Sequence, residues 1–175
     1  PALAAKSWLL IESGSGQELA AQAPDERLEP ASLTKLMTAY LTFAALKQGT
    51  IKIDQMIPVS EKAWKTGGSR MFIQVNTQVK VEDLIKGMIV QSGNDACVAL
   101  AEHIAGTTDN FVQYMNQEVQ QLHLADTRYT NVHGLDDDPS AVNHSSAFDI
   151  SQIARELIRH PHVLEWSSIE KTPFR

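Results

Sequence analysis

The chain sets short apolar runs bounded by glycine against longer runs whose apolar positions recur every three or four residues. Ser7 to Glu12 reads as a strand, Ser13-Gly14-Ser15-Gly16 as a turn and Gln17 to Gln22 as its partner strand. Ala23 to Pro30 is polar loop. Ser32 to Lys47 is apolar on most faces, which predicts a central, buried helix stopped by Gly49. Ile51 to Val59 reads as irregular or short strand, Ser60 to Trp64 as one helical turn, and Met71 to Val79 as loop with short extended pieces. Helical spacing returns over Val81 to Val90, Asn94 to Ala105 and Thr108 to Leu122, where Phe111, Met115, Val119 and Leu122 mark one face. Ser146-Ala147-Phe148-Asp149 has the spacing of a capping box and opens a helix to about His160, with Pro161 beyond it. Val163 to Arg175 begins a return to extended structure. Strands at both ends of a helical middle predict an α+β fold whose sheet draws strands from distant parts of the chain.

Two polar breaks in this pattern carry chemistry. Ser32-Leu33-Thr34-Lys35 stands at the mouth of the first long helix. A serine there projects from a rigid mount, and a lysine three positions on shares its face. Serine is a weak nucleophile that needs a base, and lysine serves as one only when burial or nearby cations lower its pKa. The bland reading of Ser32 is an N-cap hydroxyl. The tetrad is also unspecific, since Ser168-Ile169-Glu170-Lys171 matches it by chance. The second break, Gln91-Ser92-Gly93-Asn94-Asp95-Ala96-Cys97, places a hydroxyl, a glycine and an amide between two apolar helices. Its bland reading has Ser92 ending one helix and Asn94 or Asp95 capping the next.

Together the two breaks change the odds, because S-x-x-K followed by a serine–asparagine motif belongs to penicillin-binding proteins and class A β-lactamases. With Asn131-Val132-His133-Gly134-Leu135-Asp136 added, the chain resembles a low-molecular-mass penicillin-binding protein of the D-alanyl-D-alanine carboxypeptidase group. The likeness runs from Ser7-Trp8-Leu9-Leu10-Ile11 to the helix after His144-Ser145-Ser146. It implies an antiparallel sheet packed with helices, plus a helical region carrying the second motif. Residues 1–175 would then be an incomplete catalytic domain, with N-terminal strands in 1–28 and a mainly helical part in 29–160.

The resemblance implies a serine hydrolase that removes the terminal D-alanine from peptidoglycan stem pentapeptides through an acyl-enzyme and is acylated by penicillin. Ser32, Lys35 and Ser92 would be catalytic, and Asn94 would bind substrate. His133 and Cys97 would stand behind them, His133 equally well as a loop-holding hydrogen-bonder and Cys97 as a small buried residue. No cofactor or metal is implied. Such a protein serves cell-wall synthesis and cell shape in the bacterial periplasm, peripheral to the cytoplasmic membrane. Its partners are stem peptides and β-lactam antibiotics. The alternatives are a D,D-endopeptidase acting on cross-links and a non-catalytic penicillin-recognising module.

One element of the family pattern is out of place. The third motif, K-T-G on a late strand, should follow the second, whereas Lys65-Thr66-Gly67 lies between the first two in a glycine-rich loop. It is read as a decoy in a loop that borders the site. No K-T-G or K-S-G follows Asp95. The expectation is a truncated catalytic domain, lacking late strands and an oxyanion donor and inactive alone, or one completed by a second fragment.

Composition narrows the field further. The 175 residues are 43% hydrophobic with a net charge of −6 and no basic cluster, which argues against nucleic-acid binding. No apolar run is long enough to span a bilayer. Cys97 is the only cysteine, so no internal disulfide exists. His160-Pro161-His162 lacks a third ligand at zinc-like spacing, and Asp136-Asp137-Asp138 lacks the spacing of a calcium loop. No G-x-S-x-G elbow occurs, and no glutamate is followed four residues on by asparagine as in the deacylating loop of class A β-lactamases.

Overall fold

The computed structural model describes residues 8–11, 15, 17–22, 24–27, 30–135, 138–140 and 142–160. Strand β1 (Trp8–Ile11) pairs antiparallel with β2 (Glu18–Gln22), Leu9 opposite Ala21 and Leu10 opposite Ala20, with an irregularity before Ile11. A 3-10 turn, Ala31–Thr34, leads into α1 (Lys35–Gln48). A second small antiparallel sheet joins β3 (Met56–Pro58) to β4 (Gln78–Lys80), with α2 (Glu61–Lys65) between them in sequence. Helices α3 (Val81–Gln91), α4 (Asn94–Ala105) and α5 (Thr108–Gln121) follow, and α6 (Ala147–Leu157) returns to pack on α1 and β1.

The core lies around α4. Every residue from Asn94 to Ala101 is buried, and small side chains at Ala96, Cys97, Ala99 and Ala101 let α1, α2, α3 and α5 approach it. Gly87 in α3 has a related task, because a Cβ there would collide with the Met71 sulfur packed against it. In α1 the buried positions Lys35, Met37, Thr38, Ala39, Thr42, Phe43 and Ala45 run round much of the helix, as its all-round apolarity predicts. Gly49 ends it at φ 79°. On α5, Phe111, Met115 and Val119 are buried while Leu122 is half-buried. The predicted boundaries otherwise hold to within a few residues. Val163 to Arg175 and the chance tetrad at Ser168 lie outside the described residues.

Three local expectations need correction. The helix expected from Ser32 begins as a 3-10 turn, and α-helical bonding starts only at Lys35; Ser32 caps neither segment. Between α3 and α4 the N-cap is Gly93, while Asn94 and Asp95 are already helical. The Ser146 hydroxyl does accept from Asp149 N (3.1 Å), but the Asp149 carboxylate does not close the box. It turns away to accept from Asp126 N (2.9 Å) and Thr127 Oγ1 (2.7 Å), fastening α6 to the loop after α5.

Candidate active site

The turn that carries Ser32 is held under strain. Ala31 has φ 48°, in the region where a side chain is crowded, and Leu33 N closes the turn on Pro30 O at 3.0 Å. Ser32 itself is exposed. Ser92, at the far side of the site, has φ 53° at the end of α3. Backbone strain of this kind gathers at sites whose geometry is over-determined by the surrounding fold. Ser32, Lys35 and Ser92 all line one open cavity of about 310 Å³, with apolar walls from Leu36, Phe43, Met88 and Leu157. Among the described residues neither serine hydroxyl is committed to a hydrogen bond.

Lys35 is 8% exposed. Burial pushes its pKa below the ordinary 10.5, and nearby Cys97 opposes that shift only in part. Among the described residues no carboxylate pairs with its ammonium; Nζ donates to the carbonyl of His133 at 2.9 Å. A neutral acceptor leaves the cost of burying the charge largely uncompensated, so the amine is biased toward the free base. Cys97 is fully buried, its thiol pushed up to about 12 by burial.

His133 therefore meets Lys35 with its backbone. Its ring instead accepts from Leu135 N through Nδ1 (3.0 Å), the loop-holding contact anticipated as the alternative to a closer role. The loop is clamped to α1 by residues that sequence reasoning missed. Thr38 Oγ1 donates to Val132 O at 2.5 Å. Asn143 is buried: its Oδ1 accepts from Thr130 N (2.6 Å) and Asn131 N (3.1 Å), and its Nδ2 donates to Thr34 Oγ1 (3.1 Å). Asn131 Oδ1 in turn accepts from Gly134 N at 2.7 Å. Gly134 has φ 85°, and a Cβ there would overlap the Ala31 carbonyl oxygen.

Asn94 is placed differently. It is buried at the start of α4, its backbone N–H bonds Ser69 O (2.7 Å) and its Nδ2 bonds Gly67 O (2.9 Å). No hydrogen bond joins it to Lys35 among the described residues. One of its two amide N–H donors is thus committed to the loop, and among the described residues Oδ1 accepts no hydrogen bond. Asp95 holds the same loop from below, accepting from Met71 N (3.0 Å) and Ile73 N (3.2 Å). The K-T-G string at Lys65 ends α2 and enters this loop rather than a strand. Among the described residues no cluster of three potential metal ligands exists, and no helix is long and apolar enough to cross a membrane.

The profile of the D-alanyl-D-alanine carboxypeptidase family matches residues 1–175. D-alanyl-D-alanine carboxypeptidase DacA of Haemophilus influenzae is 49% identical over 162 residues, which cover 91% of this chain and 40% of that protein. The crystal structure of penicillin binding protein 6B from Escherichia coli superposes with a TM-score of 0.92 at 39% identity, covering 99% of this chain and 56% of the other. A D-alanyl-D-alanine endopeptidase of Pseudomonas aeruginosa is more distant, 28% identical over 172 residues. The chain spans about 40% of the length of the first carboxypeptidase it matches.

Proposed function

The chain belongs to the D-alanyl-D-alanine carboxypeptidase family, and on that premise we propose that it is the nucleophile-bearing part of a serine carboxypeptidase acting on peptidoglycan stem peptides. The observation that carries the reading is a desolvated lysine that, among the described residues, has no counter-ion and shares one cavity with two uncommitted serine hydroxyls.

Ser32 Oγ attacks the carbonyl carbon of the penultimate D-alanine. Lys35, as the free amine, takes the hydroxyl proton as the O–C bond forms. The Ser32 N–H supplies one donor to the developing oxyanion. As the C–N bond breaks, the Ser92 hydroxyl proton passes to the leaving D-alanine nitrogen and Lys35 replaces it with the proton taken from Ser32, so that Ser92 acts as a relay. Asn94 Oδ1 accepts from a substrate amide N–H, its own nitrogen being held by Gly67 O. Water then hydrolyses the ester and returns Ser32. The same attack on a β-lactam carbonyl gives the penicilloyl ester. The setting is the bacterial periplasm at the outer face of the cytoplasmic membrane.

Intact-mass spectrometry of the full-length protein before and after penicillin, with peptide mapping, tests this. A penicilloyl adduct on Ser32, lost in Ser32→Ala, is expected. An intact protein that takes no adduct, or one still releasing D-alanine as Ser32→Ala, refutes the assignment. Comparing monomeric pentapeptide with cross-linked dimer separates carboxypeptidase from endopeptidase, and the 49% relative against the 28% one favours the former.

A further inference from the structure

The loop from Thr66 to Thr77 has features that the acyl-transfer chemistry does not use. It is stitched to the site at Gly67 and Ser69 through Asn94, and at Met71 and Ile73 through Asp95. Met71 and Ile73 are buried, whereas Arg70 and Phe72 between and beside them are exposed. Phe72 is 64% exposed and has φ 63°. A bulky aromatic residue in left-handed backbone is strained, and no burial offsets it here. Strain without a packing reward points to function. The guanidinium of Arg70 lies over the Phe72 ring, 4.9 Å from its centroid. No carboxylate pairs with Arg70 among the described residues. The ring thus orients a planar cation whose N–H fork makes no hydrogen bond among the described residues, in a form suited to a carboxylate.

We propose that Arg70, stacked on Phe72, binds a carboxylate of the stem peptide on the acyl side of the scissile bond, and so selects free-acid peptides over amidated ones. This rests on the carboxypeptidase reading. The side is fixed by Asn94: its Oδ1 faces the acyl-side amide in that reading, and the Arg70 loop hangs from its backbone and side chain. Arg70 is one residue from the Ser69 carbonyl that accepts from Asn94 N. In this proposal its side chain meets peptide groups upstream of the penultimate D-alanine rather than the reacting bond. The contact is made in ground and transition states alike, so it acts on KM more than on kcat.

The test uses the full-length protein and two synthetic pentapeptides ending in D-Ala-D-Ala. One carries a free side-chain carboxylate upstream of the penultimate residue; the other is amidated there. D-alanine release should favour the free acid about fivefold in kcat/KM, equivalent to about 1 kcal/mol for one exposed oriented ion pair. The preference should lie in KM and shrink as salt is raised. R70Q should bring the ratio toward one, and R70K, which keeps the charge but not the fork, should restore only part of it. A ratio near one in the wild type overturns the proposal, as does a preference that survives in R70Q. If turnover is too slow to follow, protection of Ser32 from penicillin by each peptide reads the same ratio. Penicillin labelling of the wild type keeps the two readings apart. Without an adduct acyl transfer falls; with one, a ratio of one removes Arg70 alone.

Discussion

Replacing Gly134 by alanine tests whether the 131–135 loop sets the nucleophile turn. At φ 85° the added Cβ would overlap the Ala31 carbonyl oxygen, sit 2.5 Å from its carbon and 3.0 Å from Thr34 Oγ1. Carbon–carbon contacts settle near 3.5 Å, so the two segments must part by about 1 Å. Left-handed alanine adds about 1–2 kcal/mol relative to glycine. Neither side yields cheaply, because Asn143 bonds Thr34 and Lys35 bonds His133 O. A stability loss of roughly 2–4 kcal/mol follows. A shift of about 1 Å between Ser32 and its base lowers the acylation rate on the order of a hundredfold. Gly106→Ala is the control: it shares φ 85° but meets nothing within 4 Å. Its ψ of −40° lies outside the left-handed helical well, so alanine there should lose at least about 1–2 kcal/mol yet acylate normally. The assay is stopped-flow acylation of the full-length variants by a fluorescent penicillin, with thermal melts alongside. Equal acylation rates in the two variants would refute the reasoning.

The pH dependence follows from Lys35. Only the free amine accepts the serine proton, and burial holds its pKa below 10.5. Acylation should therefore rise with pH through one ionisation and level off before pH 10.5; a profile still climbing there argues against Lys35 as base. The stability that Lys35 contributes has the same sign. It is fully present above 10.5, where both states are neutral, and is lost as pH falls through the depressed native value. Lys35→Met should flatten that slope in chemical denaturation while abolishing acylation. Asn143→Ala removes the shared acceptor of the part-buried Thr130 and Asn131 amides and should cost about 1–3 kcal/mol, read from urea midpoints. Asp95→Asn turns one acceptor into a donor facing Met71 N or Ile73 N; about 2–3 kcal/mol is expected, with faster hydrogen exchange at 71–73 as the local sign.

The candidate residues stand out in the sequence because their patterns are local. Ser32 and Lys35 are three apart, and Ser92 and Asn94 flank one glycine. Helix ends and apolar periodicity placed both breaks correctly, and the α+β expectation holds for an architecture rich in helix with small antiparallel sheets. The 3-10 turn escaped because its left-handed Ala31 is imposed by Pro30, Gly134 and Thr34 arriving together, against alanine's own preference. Asn143 escaped for another reason, as did the separate task of Asn131 inside the string that contains it. An isolated asparagine between turns looks like a loop residue, and Asn143 gains its value from burial and a bond to Thr34, 109 positions away. Asp149 was assigned locally to a capping box, while the tertiary partners Asp126 and Thr127 took its carboxylate.

The clamp on the nucleophile turn also orders events in time. Lys35 meets His133 across 98 positions, Thr38 meets Val132 across 94, and Thr34 meets Asn143 across 109. Closing a loop of that length costs about 4 kcal/mol of chain entropy before any contact forms. On a ribosome, Ser32 is polymerised roughly 5 to 20 s before Asn143. During that interval α1 to α5 can fold on their neighbours, but nothing holds Ala31 in its strained conformation and no carbonyl positions the lysine. The reactive centre is thus translated early and assembled late. A folding chain carries its serine unclamped until residues 131–135 and Asn143 dock, so the nucleophile turn sets only when that later segment arrives.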